Sequence, residues 1–179
     1  ITRTLAIIGW SLPSFWLGIL LIAIFSVALH LTPPPGRWSA SAQNYIIGGS
    51  STFIRYTGMN SIDGILNGQL WITEDALVHL ILPVIVLVTI SVALIIRIMR
   101  SSMLEALNKG YIVAARAKGL TDKEVINNHA RKNALIPTLT LSGLMVAGML
   151  NGVVITETIF GINGIGYFAA SAALAIDIA

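Results

Sequence analysis

The chain has 179 residues, 55% of them hydrophobic and only 11% charged, with a mean hydropathy of +0.83. Average soluble domains run roughly 45–50% apolar and about 25% charged, so charge is depleted here more than apolar content is raised. Eleven Lys and Arg against eight Asp and Glu cannot cover a water-facing surface, which excludes a soluble globular domain, a disordered segment and a nucleic-acid binder. No cysteine is present, so a disulfide framework and a thiolate metal site are excluded as well.

Three segments meet the length of about 20 apolar residues needed to cross a hydrocarbon core of roughly 30 Å. The first, about Leu5 to Leu29, contains no Asp, Glu, Lys or Arg, and Pro13 offers a kink in it. Thr32-Pro33-Pro34-Pro35-Gly36 is expected to stop its helix. The second runs from about Ala76 to Ile96 and contains His79 and Pro83; the third runs from about Ala134 to Thr156 and contains Asn151. A fourth apolar stretch, Ile159 to Ile176, is interrupted by Gly161, Gly164 and Gly166 and reads either as a re-entrant or interfacial piece or as the approach to a further span. The chain begins at Ile1 and stops at Ala179 inside an apolar stretch, so it is expected to be an internal piece of a longer subunit.

Charge orients the spans. Residues 97–133 carry eight basic and three acidic side chains, residues 31–75 carry Arg37 and Arg55 against Asp63, Glu74 and Asp75, and nothing after Thr156 is Lys or Arg. The positive-inside rule places 97–133 and the N-terminus in the cytoplasm, with 31–75 and 157–179 outside. The long outer loop reads either as a solvated connection with an interfacial helix or as a docking surface for an external partner.

Residues 101–133 are too structured for a connector. Met103, Leu107 and Ile112 or Val113 recur near helical spacing, predicting a helix over about Ser101 to Lys118 that ends at Gly119. Thr121-Asp122-Lys123-Glu124 has the form of a capping box opening a second short helix through Val125, Ile126 and His129 to about Asn133. Ala114, Ala115 and Ala117 leave room for another body to approach.

At these residues a family resemblance becomes specific. Ala114-Ala115-Arg116-Ala117-Lys118-Gly119-Leu120, then His129, then Asn133-Ala134-Leu135-Ile136-Pro137, resembles the cytoplasmic loop of binding-protein-dependent ABC transporter permeases of the dipeptide/oligopeptide subfamily. Leu12-Pro13-Ser14-Phe15-Trp16-Leu17-Gly18, His79-Leu80-Ile81-Leu82-Pro83 and Glu157-Thr158-Ile159-Phe160-Gly161 extend the match along most of the chain. Two departures stand out: Val113 replaces the acidic residue of the general signature, and Pro137 lies eighteen positions after Gly119, further than that signature has it.

The resemblance implies an all-α membrane protein, a polytopic transmembrane helix bundle of the ABC importer permease type with about six spans in the whole subunit. Residues 1–179 would form part of one transmembrane domain, with three clear spans and a cytoplasmic coupling helix-turn-helix. It further implies a multi-pass subunit of the cell inner membrane, non-catalytic, which moves peptides in an ATP-driven importer. Its partners would be a second permease subunit, two cytoplasmic ATP-binding subunits, an extracytoplasmic substrate-binding protein and membrane lipid, with no nucleic acid. ATP and Mg would be bound by the partner subunits, so no cofactor or metal is expected in this chain. ATPase coupling would fall on Ala114, Ala115, Arg116, Lys118, Gly119, Leu120 and His129. The same type of permease serves nickel, glutathione or oligosaccharide as alternative cargo.

Other features are weaker. Gly148 and Gly152 form a GxxxG helix-packing motif. Asn151, Thr156 and Glu157 are candidate pathway or gate residues, since polar groups at membrane depth usually face protein or a cavity. Gly161-Ile162-Asn163-Gly164-Ile165-Gly166 lacks the lysine of a nucleotide loop. Two remote alternatives are an intramembrane hydrolase using Ser91 or Ser142 with His79, and a passive channel.

Overall fold

A computed structural model describes residues 13–48, 53–150 and 153–175. All regular structure among them is helical, and two helices are long and apolar enough to cross a membrane. The chain is an all-α membrane protein.

The elements in order are α1 (Ser14–Ala28), α2 (Ala40–Ile47), α3 (Asn60–Leu66), α4 (Leu70–Leu107), α5 (Gly110–Ala117), α6 (Asp122–Leu150), α7 (Val154–Ile159) and α8 (Ile165–Leu174). They form two compact units. One takes α1 to the first half of α4 together with α7 and α8; the other takes the second half of α4 with α5 and α6.

In the first unit, Pro13 occupies the N-cap of α1 (φ −59°, ψ 136°) rather than kinking the described helix. Residues 5–12 of the expected span lie outside the described residues. From Ile22 to Ala28 the helix widens to π geometry, and it ends four residues short of the proline run, where His30 turns left-handed (φ 52°). The Ser26 hydroxyl donates to the Pro33 carbonyl at 3.0 Å, so the exit from α1 is held by a side chain rather than by proline's missing N–H. Gly18 lies against Ile159 of α7 and the Phe160 that follows it, where a Cβ would meet the Phe160 ring at 3.4 Å, an ordinary contact distance.

The third expected span does not reach Thr156. α6 ends at Leu150, Asn151 and Gly152 lie outside the described residues, and Thr156 belongs to the separate short helix α7. The division has a cause at Glu157, whose carboxylate accepts the N–H of Val153 at 3.2 Å and so serves the start of a new helix. The apolar stretch after it resolves into α7, a turn at Gly161 (φ 62°) and α8. At 10 residues, or about 15 Å, α8 is too short to span.

In the second unit, α4 continues through Leu107 and breaks at Asn108–Lys109, with Lys109 extended (φ −80°, ψ 149°). The predicted helix over 101–118 is therefore two helices. Its successor to Asn133 is likewise not a separate short helix: it runs on into the third apolar segment as α6, through a π-helical stretch at Val125–Ala130. Pro83 and Pro137 both sit inside helices, each leaving one carbonyl a turn earlier without its usual N–H.

Candidate functional site

The segment 97–133 is built around a small core. Ala106 at the end of α4, Ile112 and Ala115 of α5, and Val125, Ala130 and Ala134 of α6 are all buried together, with Met99, Met103, Leu107 and Leu120 packed against them. The break at Lys109 lets α4 and α5 present residues to the same core from different directions. Lys109 pairs with Glu105 at 2.8 Å across the break.

Gly119 makes the second turn with φ 81° and open space around it; its role is therefore backbone conformation, which any other residue adopts at a cost. Its N–H donates to the Arg116 carbonyl at 2.9 Å. The capping box follows as the spacing predicts. Thr121 Oγ1 accepts from the Glu124 N–H at 3.4 Å, and the Glu124 carboxylate accepts from the Thr121 N–H at 2.9 Å and from its hydroxyl at 2.7 Å. The Thr121 bonds hold the Glu124 carboxyl below its usual range. Arg116 pairs with Asp122 at 3.2 Å across the turn.

These constraints divide the predicted coupling residues. Ala114, Arg116, Lys118 and Gly119 are exposed, with Ala117 and Val113 (65% exposed) beside them. Ala115, by contrast, is 5% exposed and belongs to the core, so its face is closed to any approaching body. The run of alanines is ambiguous in sequence because alanine suits both situations. Leu120 and His129 are half-buried, and the His129 carbonyl accepts from the Asn133 side chain at 2.9 Å.

The remaining candidates fall elsewhere. Gly148 faces open space, and its partners in the motif and the pathway set, Gly152 and Asn151, lie outside the described residues. Thr156 and Glu157 are buried. Glu157 Oε2 accepts the Tyr167 N–H at 2.6 Å, so one carboxylate caps α8 as well as serving α7. Gly164 stands against that carboxylate so closely that a Cβ would collide with it. The pairing of Glu157 with a glycine seven positions later is the signal that sequence reading missed. Ser142 donates to the Thr138 carbonyl at 2.8 Å, and His79 Nδ1, 2.7 Å from the Asp75 carbonyl, must carry the proton there. Among the described residues no group of three His, Asp or Glu side chains could hold a metal ion.

The segment 31–75 is folded in a way its composition conceals. Asp63 is fully buried and accepts the Thr57 N–H and hydroxyl, each at 2.8 Å, and the Gly58 N–H at 3.0 Å. Burial pushes its carboxyl up, but those bonds and the charge of Arg55 outweigh it and leave the group below the usual range. Asn67 makes a two-bond clasp with the backbone of Ile54 at 2.9 and 2.8 Å. The Asp75 carboxylate accepts the Ser39 N–H at 2.9 Å, tying the N-cap of α2 to α4. Tyr45 packs edge-on against both Phe53 and Trp71.

Comparison with known proteins follows the same line. The family described as binding-protein-dependent transport system inner membrane component matches residues 1–179. The di/tripeptide transport system permease protein of Pseudomonas aeruginosa (strain UCBPP-PA14) is 47% identical over 163 residues, covering 91% of this chain and 46% of that protein. The dipeptide transport system permease protein of Escherichia coli (strain K12) is 46% identical over 162 residues, 90% of this chain and 46% of its own length. A probable D,D-dipeptide transport system permease protein of the same strain is 36% identical over 180 residues, 99% and 50% respectively. The chain spans about half the length of the curated relatives it matches. It belongs to the family of binding-protein-dependent transport system inner membrane components.

Proposed function

We propose that this chain is part of a permease subunit of an ATP-driven importer for peptides, set in the inner membrane as a multi-pass protein. Residues 97–133 then face the cytoplasm and 31–75 the outside. The observation that carries the reading is the short helix α5, whose exposed Val113, Ala114 and Ala117 form a compact face on a rigid base between two long apolar helices. Small side chains there allow an ATPase subunit to seat closely, with Arg116, Lys118 and the Gly119 turn at the rim. Nucleotide-driven closure of two such ATPase subunits would displace α5, and the helices continuous with its core would follow as a hinge or shear movement. ATP and Mg would stay on those subunits, and an external binding protein would deliver the cargo. The names of the relatives, all of them peptide or dipeptide permeases, support peptide cargo over nickel, glutathione or oligosaccharide.

The test uses the full-length subunit in membranes with its partners. Cysteine at Ala114 or Ala117 should crosslink to an ATPase subunit with a yield that changes on adding ATP, while cysteine at Ala115 should not react. Reaction of Ala114→Cys from outside the cell, with no crosslink to an ATPase, would overturn both the orientation and the coupling role.

A further inference from the structure

The two short helices of the outer loop face opposite ways. α2 is arranged mostly as water demands: Ala42 and Ile46 are buried, Ser41, Gln43 and Asn44 are exposed, and only its last residue, Ile47, is a large exposed aliphatic. α3 is inverted. Its polar residues turn inward, Asp63 at 0% and Asn60 at 5% exposure, while Ile62 (39%), Ile65 (58%) and Leu66 (55%) turn outward. The inversion is fixed locally, because Asp63 must face inward to accept the N–H groups of Thr57 and Gly58. Leu70 and Trp71, next along the chain, continue the exposed apolar surface.

The depth of α3 relative to a bilayer follows from α4. Glu74 and Asp75 lie at its outer end and Arg97 is the next Asp, Glu, Lys or Arg along it. The uncharged stretch between them is about 31 Å long at about 1.5 Å per residue, which matches a hydrocarbon core of roughly 30 Å. α3 is tied to α4 just outside that stretch: the Gln69 N–H donates to the Gly64 carbonyl at 2.7 Å, and the Thr73 hydroxyl donates to the Ser61 carbonyl at 3.0 Å. Thr73 precedes Ala76 by three residues, about 4.5 Å of helix, and the headgroup zone is about 5–7 Å deep on each side.

We infer that α3 lies in the headgroup–acyl boundary of the bilayer, its Ile62, Ile65 and Leu66 face in contact with lipid. Interfacial helices bury their apolar face to about this depth. Trp71 and Tyr56, both exposed, are the amphipathic aromatics that favour the same level. The outward face of α3 offers only aliphatic side chains, which suits acyl chains. α2, with its polar face outward, is left to water and to any external protein. This assignment rests on 76–96 as a span and is independent of cargo.

The test places a bimane label on Ile65→Cys, and separately on Leu66→Cys, in the full-length subunit within its transport complex. The complex is reconstituted in phosphatidylethanolamine–phosphatidylglycerol vesicles, with Gln43→Cys on α2 as the water-facing reference. Nitroxide at the fifth carbon of the acyl chain should quench the Ile65 and Leu66 labels several-fold more than the Gln43 label, and aqueous iodide should do the reverse. Iodide quenching of all three alike would put α3 in water and overturn the inference. Protection of the α3 labels from both quenchers would show a protein covering that face and would overturn it equally. Uptake by the labelled complexes, measured alongside, tests the transport reading separately.

Discussion

Ile112 is the side chain on which the 97–133 loop most depends. It is fully buried; the buried alanines and Val125 around it cannot swell to replace it, and only Met99, Met103, Leu107 and Leu120 at the edge of the core can relax part of the way. Ile112→Ala removes three carbons, worth about 2.4 kcal/mol at about 0.8 kcal/mol each. A residual cavity brings the expected cost to about 3–4 kcal/mol, within the range for such truncations. Because the loop lies beyond the apolar spans, this loss falls on the local closing of α5 rather than on the whole fold. Amide exchange in α5 should then accelerate more than about hundredfold, a factor of ten for each 1.4 kcal/mol. Hydrogen-exchange mass spectrometry of the peptide covering 110–118, in the full-length subunit, reads this directly. Val113→Ala, one residue away but on the exposed side, should stay within about 0.5 kcal/mol, or about twofold. Equal protection in Ile112→Ala and wild type, or an equal loss in both variants, would refute the assignment of α5's inner and outer faces.

Three further outcomes follow from the geometry. Gly119→Ala, strained at φ 81° with no steric neighbour, should cost about 1–2 kcal/mol, with Gly119→Asn recovering part of it, both measured by exchange in the same peptide. Gly164→Ala pushes its Cβ into the Glu157 carboxylate and should strip one or both backbone N–H groups of their acceptor, lowering the thermal midpoint by an amount equivalent to about 1–3 kcal/mol; an unchanged midpoint would show that the carboxylate does not cap α8. Asp63→Ala leaves the Thr57 and Gly58 donors unmet and should cost about 2 kcal/mol or more, seen as faster proteolysis within 53–75. Because the folded carboxyl is held below its usual value, the stabilisation in the wild type should be fully present above about pH 4. It is lost as pH falls through the lowered folded value, so proteolysis should rise there in the wild type and show no such step in Asp63→Ala.

The features legible in sequence were those fixed by near neighbours. Gly119 and the Thr121–Glu124 box are decided within a few residues, and each stands where the spacing put it. The break at Asn108–Lys109 was not legible, because Met103, Leu107 and Ile112 keep a helical rhythm across it. The backbone bends there so that Ala106 and Ile112 can reach one core, a tertiary demand that local periodicity does not carry. The junction of α6 with its leading turn was hidden by the change from polar to apolar residues at Asn133–Ala134, which reads as a boundary, whereas the helix runs through it and also accommodates Pro137. The 31–75 segment was the least legible part. Its structure rests on side chains clasping backbone at long range, as Asp75 does with Ser39, and such bonds leave no periodic trace. Glu157 was visible as a lone carboxylate; its bond to the Val153 N–H is local to α7, but its bond to the Tyr167 N–H depends on the turn that Gly161 creates.

Four of the six residues at the centre of the loop's core are alanine. An alanine gives up no rotamer freedom on burial and has none to regain under load. Close-packed interiors compress little, and at the centre of this one most contacts are methyl groups on helical backbone, with the side-chain torsions left to Ile112, Val125 and the half-buried residues around them. A force applied to α5 would therefore reach the ends of α4 and α6 as displacement, with little dissipated in side-chain rearrangement. Exchanging one of those alanines for a longer, flexible side chain, with Ile112 shortened to keep the total volume, would soften the joint even if it kept its stability.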